Sequence, residues 1–284
     1  MTRMKVLIVG CASEDTLHNE RGQWRRTART IGGAGLYTAL AAAAMAMGKV
    51  DVSLFAPRPH PLPEQFAEAA RFIEWFGPQV DPDAMPKLEI VHHGNGSATL
   101  LSASWGSEAE LQSAPLLPRL AEFDLVHIAA LSSAERQIEF LRVCRENEVK
   151  ISAGTYARIA YGDTDRVRHL LKGCDFFFMN NNEANALVQN RTQAWADGHE
   201  VYITDGQKGV TIYHGTEQML VPAQTAEEID ATGAGDSFCG AVLVSRLLGA
   251  SPEEAARDGC RIAAKCISHV GPQGLLNLLR DPGC

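Results

Sequence analysis

The chain has 284 residues and a formal net charge of −8, with 45% hydrophobic and 21% charged residues. This is ordinary globular usage, which excludes a disordered or disulfide-dense chain and suits one principal domain with a small appendage. The acidic balance opposes binding to a polyanion, whose affinity rests on Lys and Arg neutralising phosphates, so nucleic acid is not an expected partner.

The chain opens with a short apolar run before Gly10, too brief for the core of a signal peptide. Its longest apolar stretch, 40–47, falls far short of the ~20 residues that cross a membrane, so no membrane partner is expected. Seven cysteines, Cys11, Cys144, Cys174, Cys239, Cys260, Cys266 and Cys284, form no CxxC pair and are odd in number. That argues against a zinc knuckle or a secreted disulfide framework, and for a reducing cytoplasm.

Short apolar runs at 6–9, 52–55, 125–129, 149–152, 176–179 and 201–204 read as buried strands. Helix-period segments at 35–47, 64–76, 134–146, 164–171 and 183–188 lie between them. The alternation predicts an α/β fold, a mostly parallel sheet covered by helices on both faces. Two segments break the rhythm, 12–31 and 88–104, and the second alternates around Gly94-Asn95-Gly96 as a hairpin does. Together they predict one small sheet, a lid over a site. His92-His93 reads as lid surface rather than as a metal site, since neighbouring strand residues point to opposite faces. The basic run 21–29, with Arg25 and Arg26 adjacent, reads as a solvated edge. After Thr204 come strand-turn-strand, at 210–213 and 218–221, and then two long helical stretches.

The most informative stretch is 230–236, Asp-Ala-Thr-Gly-Ala-Gly-Asp. Small residues and two glycines let the backbone turn tightly, and the apolar periodicity that follows places a helix start near Gly233. A helix start presents free N–H groups and the positive end of the helix dipole, which suits charge developing on a transferring phosphoryl group. Asp236 falls in the first turn, where a carboxylate can accept a hydroxyl proton. Taken alone, an acidic residue there also serves simply to favour the helix terminus. A dinucleotide-binding turn is excluded, because the 10–15 stretch lacks GxGxxG spacing, and no GxxxxGK[ST] occurs anywhere.

The 230–236 stretch resembles the C-terminal signature of the ribokinase-like, or PfkB, family of sugar and nucleoside kinases, with Ala231 in place of the family's first Thr. The resemblance implies a ribokinase-like α/β domain over 1–284, with lid segments at about 12–31 and 88–104. It implies Asp236 as the catalytic base and the backbone of Gly233, Ala234, Gly235 and Asp236 as an anion hole. Three further stretches are similar, in the same order. Gly32-Gly33 resembles the motif whose close backbone positions the sugar or polyol. Asn180-Asn181-Asn182-Glu183 resembles the Asn-x-x-Glu motif, in which Asn180 and Glu183 would position magnesium and phosphate through water. The 204–209 stretch resembles the nucleotide loop, with Thr204 and Gly206 near the ATP phosphates and Gly209 permitting the turn into the next strand. Asp15 stands where members bind substrate hydroxyls, Arg158 near a substrate-side Arg, and Cys260 near a position beside adenine.

Where sugar kinases of the family carry Asn, this chain has Tyr37, similar to the myo-inositol kinase subgroup, and Ser152 replaces a common Asp. The resemblance therefore implies an ATP- and Mg2+-dependent kinase acting on a hydroxyl of a small sugar or cyclic polyol. A nucleoside kinase of the same fold and a non-catalytic ligand-binding relative are the alternatives. Some members need potassium near the anion hole, and Ala231 leaves a monovalent cation open. The macromolecular contact left open is a homodimer through the lid.

Overall fold

The computed structural model describes residues 3–19, 27–93, 98–187 and 199–281. The 94–96 turn, Arg21, Arg25, Arg26, Val188 and Cys284 lie outside the described residues.

Strand β1 (Met4–Val9) shows why the apolar runs become central strands. Val6 and Ile8 enter one core while Leu7 and Val9 enter another, because successive strand side chains point to opposite faces. A strand buried on both faces therefore reads as a near-continuous apolar run. On one side β1 pairs in parallel with β4 (Val50–Phe55), which pairs with β6 (Glu74–Phe76). On the other side the parallel order continues through β10 (Leu125–Ile128), β11 (Lys150–Gly154), β12 (Phe176–Asn180) and β13 (Glu200–Thr204). Two antiparallel strands, β14 (Val210–His214) and β15 (Glu217–Val221), complete a nine-stranded sheet. Helices Ala34–Ala46, Ala234–Leu247, Pro252–Ile267 and Gln273–Arg280 pack on the first core. Helices Ala134–Glu146, Thr164–Gly173 and Asn181–Leu187 pack on the second.

The chain leaves β1 toward β4 across one face and β10 toward β11 across the other. This makes β1 and β10 a topological switch point, where loops diverge and open a crevice at the strand C-termini. Over that crevice, β2 (Ser13–Asn19), β3 (Ala28–Gly32), β8 (Lys87–His92) and β9 (Ala98–Ser104) form a second sheet in the order β3-β2-β8-β9. The two segments that broke the rhythm thus come together.

Two expectations are corrected. The helix expected at 64–76 is one short helix, Glu64–Ala67, and one 3-10 turn, Ala69–Arg71, before the chain extends as β6. Tertiary packing outweighs the local helical pattern there: Trp75 packs edge-on against Phe66 with centroids 5.6 Å apart, and Phe76 lies 5.4 Å from Phe55. The C-terminal region holds three helices rather than two, because the chain turns at Gly271-Pro272 before Gln273–Arg280. Among the described residues, no helix is long and apolar enough to cross a membrane.

Helices Ala34–Ala46 and Ala234–Leu247 touch backbone to backbone. A Cβ at Gly240 would lie 2.1 Å from the Thr38 carbonyl oxygen. In an exposed helix interior, Gly→Ala stabilises by about 1 kcal/mol. Here Gly240→Ala is expected to destabilise by about 1–3 kcal/mol, as overpacking does, in chemical unfolding. Unchanged or raised stability would show that the helices can part without cost.

Candidate active site

Helix Ala234–Leu247 starts where Gly233 adopts a left-handed φ of 73°, which glycine takes without steric cost. A Cβ there would also lie 2.3 Å from the Tyr37 ring. Ala234 N–H donates to the Ala231 carbonyl at 3.2 Å, and Ser237 N–H to the Gly233 carbonyl at 2.8 Å. The N–H groups of Gly235 and Asp236 fall between them, in the first turn, where the helix itself offers no acceptor.

Asp236 opens from this turn onto a cavity of about 310 Å3 over the C-terminal ends of the parallel strands. Cys11 after β1, Ala130 after β10, Gly154 of β11, Asn180 of β12 and Thr204 of β13 all border it. Asp236 is half-buried, and the partial loss of water around its carboxyl pushes its pKa up to about 7.

The second sheet contributes Asp15, buried on β2. Its Oδ1 accepts from Ser13 Oγ at 2.6 Å, while Oδ2 has no partner among the described residues. Burial raises its carboxyl to about 7 against the opposing Ser13 hydrogen bond. Gly32 leaves room for that oxygen, since a Cβ there would lie 1.9 Å from it. Gly33 and Tyr37 border the same cavity. Tyr37 is fully buried against the signature loop, and its hydroxyl has no hydrogen-bond partner among the described residues.

Asn180 and Glu183 hold each other at the start of helix Asn181–Leu187. Glu183 N–H donates to Asn180 Oδ1 at 2.9 Å, and Asn180 N–H to Glu183 Oε2 at 2.8 Å. This reciprocal pair is a capping box built with Asn. Asn180 Nδ2 adds a bond to Glu183 Oε1 at 2.7 Å. Both residues still border the cavity, and burial, with Asp236 adding like-charge repulsion, raises the Glu183 carboxyl to about 7. Among the described residues, no three His, Cys, Asp or Glu side chains cluster as a metal site.

Of the other expected site residues, Gly32, Arg158, Gly206, Gly209 and Cys260 are not among the described residues bordering this cavity. Arg158 is exposed on the short helix Ala157–Gly162, and Tyr156, two residues earlier, borders the cavity in its place. Gly209 carries a φ of 97° and turns the chain into β14. Ser152 is buried and bonded to His127 Nδ1 at 2.9 Å.

His92 is a further correction. The expectation was an exposed lid residue, but it is 4% exposed, with Nε2 2.8 Å from Thr232 Oγ1 and 3.0 Å from Asp230 Oδ1. His93 instead bonds Thr99 Oγ1 at 2.9 Å.

Sequence reasoning missed Trp105, His127 and Tyr156, all bordering the cavity. Trp105 and Tyr156 face each other with ring centroids 6.1 Å apart. For Tyr156, the position just beyond the C-terminal end of a parallel strand was the available signal. His127 is held neutral, its pKa lowered to about 3 by burial.

The sequence profile of pfkB family carbohydrate kinases matches residues 8–277. The chain belongs to this family. Among relatives, inositol 3-kinase of Arabidopsis thaliana is 39% identical over 71 residues, covering 25% of this chain and only 20% of that protein. The 2-dehydro-3-deoxygluconokinase of Escherichia coli strain K12 is 28% identical over 238 residues, covering 69% of this pfkB chain and 75% of its relative. The crystal structure of a "probable sugar kinase protein" from Rhizobium etli CFN 42 superposes with a TM-score of 0.82 at 19% identity, covering 100% of this chain and 99% of the other. That likeness makes the fold ribokinase-like.

Asp15, Glu183 and Asp236 all have carboxyl pKa values raised to about 7, against ~4 for free carboxyls. The folded protein therefore binds more protons than the unfolded chain between about pH 4 and 7, so these groups make stability fall as pH rises through that window. Asp236→Asn removes one such charge. Its ligand-free melting temperature is expected to exceed that of the parent at pH 8, with the gap closing toward pH 4. An equal gap at both pH values would argue against a raised Asp236.

Proposed function

We propose that the chain transfers the γ-phosphoryl group of ATP to a hydroxyl of a small sugar or of a cyclic polyol of the inositol kind. One observation carries this reading: a single cavity holds both Asp236 at a helix N-terminus and the unpartnered carboxylate oxygen of Asp15. The first suits phosphoryl transfer, and the second suits a polyhydroxylated acceptor.

In the proposed mechanism, Asp15 Oδ2 accepts from acceptor hydroxyls and orients the ring. Asp236 takes the proton from the reacting hydroxyl. That oxygen bonds to the γ-phosphorus, the bond from that phosphorus to the β–γ bridging oxygen breaks, and ADP leaves. The N–H groups of Gly235 and Asp236 and the helix dipole face the negative charge that develops. The second sheet excludes water, which limits wasteful hydrolysis.

Two carboxylates on one cavity, the half-buried Asp236 and the buried Glu183, suit a hydrated divalent cation, and magnesium commonly takes one or two carboxylates with phosphates and water. Magnesium would offset the phosphates' negative charge, and Glu183, held by Asn180, and Asp236 would hold it, Glu183 through water. The nucleotide extends past Thr204 and the 206–209 turn toward Cys260. The six described cysteines carry no disulfide, which suits a reducing compartment.

A second reading, a nucleoside acceptor, is favoured by the Trp105–Tyr156 pair, an aromatic surface suited to a base. ADP production with inositols, pentoses, hexoses and nucleosides separates the two, and sodium and potassium arms report on a monovalent cation. Turnover with cyclic polyols or sugars is expected. Turnover confined to nucleosides would select the second reading, and no acceptor-dependent ADP would overturn both.

Asp236→Asn is expected to retain ATP binding while lowering kcat by about two orders of magnitude or more. In the parent, turnover is expected to fall as pH drops below about 7, because protonation removes the base. Near-parental turnover of the Asn variant would overturn the assignment. Asp15→Ala is expected to weaken acceptor binding by roughly 1.5–3 kcal/mol, the scale of hydrogen bonds to a charged group, with ATP affinity unchanged. Calorimetric titration with each ligand separates the two effects.

A further inference from the structure

His92 is the last residue of β8, in the sheet that covers the cavity, yet its partners belong to the signature loop at the far end of the sequence. Asp230 is the hub of that loop. Its Oδ1 accepts from Thr232 N–H at 2.9 Å, and its Oδ2 from Gly271 N–H at 2.7 Å. Although burial opposes it, the donors His92, Gly271 and Thr232 hold the Asp230 carboxyl below its ordinary range. An ionised carboxylate can only accept, so His92 Nε2 carries the proton and donates toward Asp230, with the Thr232 hydroxyl alongside. Thr232 borders the cavity and directly precedes Gly233, whose left-handed turn aims the helix that carries Asp236.

A second contact lies on the other flank of the covering sheet. Thr30 of β3 packs against Gly271, where a Cβ would lie 2.1 Å from the Thr30 hydroxyl oxygen. Strand β2, which carries Asp15, runs between β3 and β8. The strand that would hold the acceptor is therefore pinned on both sides to the segments that fix the Asp236 turn.

We infer that His92 is a positioning residue that latches the covering sheet to the signature loop, so that the acceptor end and the transfer end of the cavity form one rigid unit. This rests on the proposed kinase reading, in which Asp15 and Asp236 act on one substrate. His92 does not reach the reacting atoms; it acts through Asp230 and Thr232.

The test compares His92→Phe, which keeps bulk but removes the donor, with His92→Gln, which keeps a neutral donor of similar reach. With the acceptor identified by the panel above, His92→Phe is expected to lower kcat by about tenfold or more and to raise the acceptor KM, with the ATP KM within about twofold of the parent. His92→Gln is expected to recover most of the loss. Hydrogen exchange gives a readout independent of activity: in His92→Phe, amides of 13–19 and 230–237 are expected to exchange faster together, while β1 and β4 stay protected. A folded His92→Phe with parental kcat and acceptor KM overturns the latch, as does a Gln variant no better than Phe. If the parent turns over no acceptor, the kinase reading fails separately and exchange alone decides: coupled loosening supports the latch, and unchanged protection in either segment overturns it.

Discussion

Everything at the site depends on how closely two helices approach. Ala34–Ala46 carries Tyr37, and Ala234–Leu247 carries Asp236. They meet where Gly240 has no side chain to separate it from the Thr38 carbonyl, and where Gly233 rests on the Tyr37 ring. Each contact is a steric permission rather than an attraction. Burial of the apolar faces on both sides of the contact supplies the driving force. A gap of even one methyl group would move the N-terminal turn relative to the strand ends, and with it the direction of the N–H groups.

The cavity also works against the fold that holds it. Three carboxyl groups border one cavity, and desolvation raises the pKa of each to about 7, so their ionisation is costlier there than in the unfolded chain. A protein selected only for stability would replace them with neutral groups. Ionisable groups with strongly shifted pKa values in one cavity are a common mark of functional sites. The contrast with Asp230 is instructive. It is also buried, but the donors His92, Thr232 and Gly271 meet it and hold its pKa low, whereas Asp15 Oδ2 meets no partner among the described residues.

The parallel strands were legible because a strand covered on both faces leaves a near-continuous apolar run, as in β1 and, broken only by Asp51 and Ser53 or by His127, in β4 and β10. The 74–76 stretch was not, because its neighbours favour a helix locally and only packing against Phe55 and Phe66 reveals a strand. The signature loop was legible because its glycines, its helix start and Asp236 are contiguous in sequence. Trp105 and Tyr156 were not, since a wall made from two distant segments has no local pattern. His92 was misread for the same reason: its neighbours in sequence belong to a small sheet, while its partners lie some 140 residues away, as the Thr232 bond shows. Arg158 lies on helix Ala157–Gly162 at a position facing solvent, which its neighbours in sequence do not reveal.

The burial of helix Ala34–Ala46 bears on the order in which the protein is made. Leu36, Tyr37, Thr38, Leu40 and Ala41 are all fully covered, on nearly every side of the helix. Its main partner, Ala234–Leu247, leaves the ribosome only after every parallel strand of the sheet has been translated. Through most of synthesis the nascent chain therefore carries an uncovered apolar helix beside strand edges still without their full cover, the exposure that recruits chaperones and invites aggregation. The segment bearing Asp236 closes the core as it arrives, so a chain terminated before Asp236 lacks both that carboxylate and the cover over its first helix.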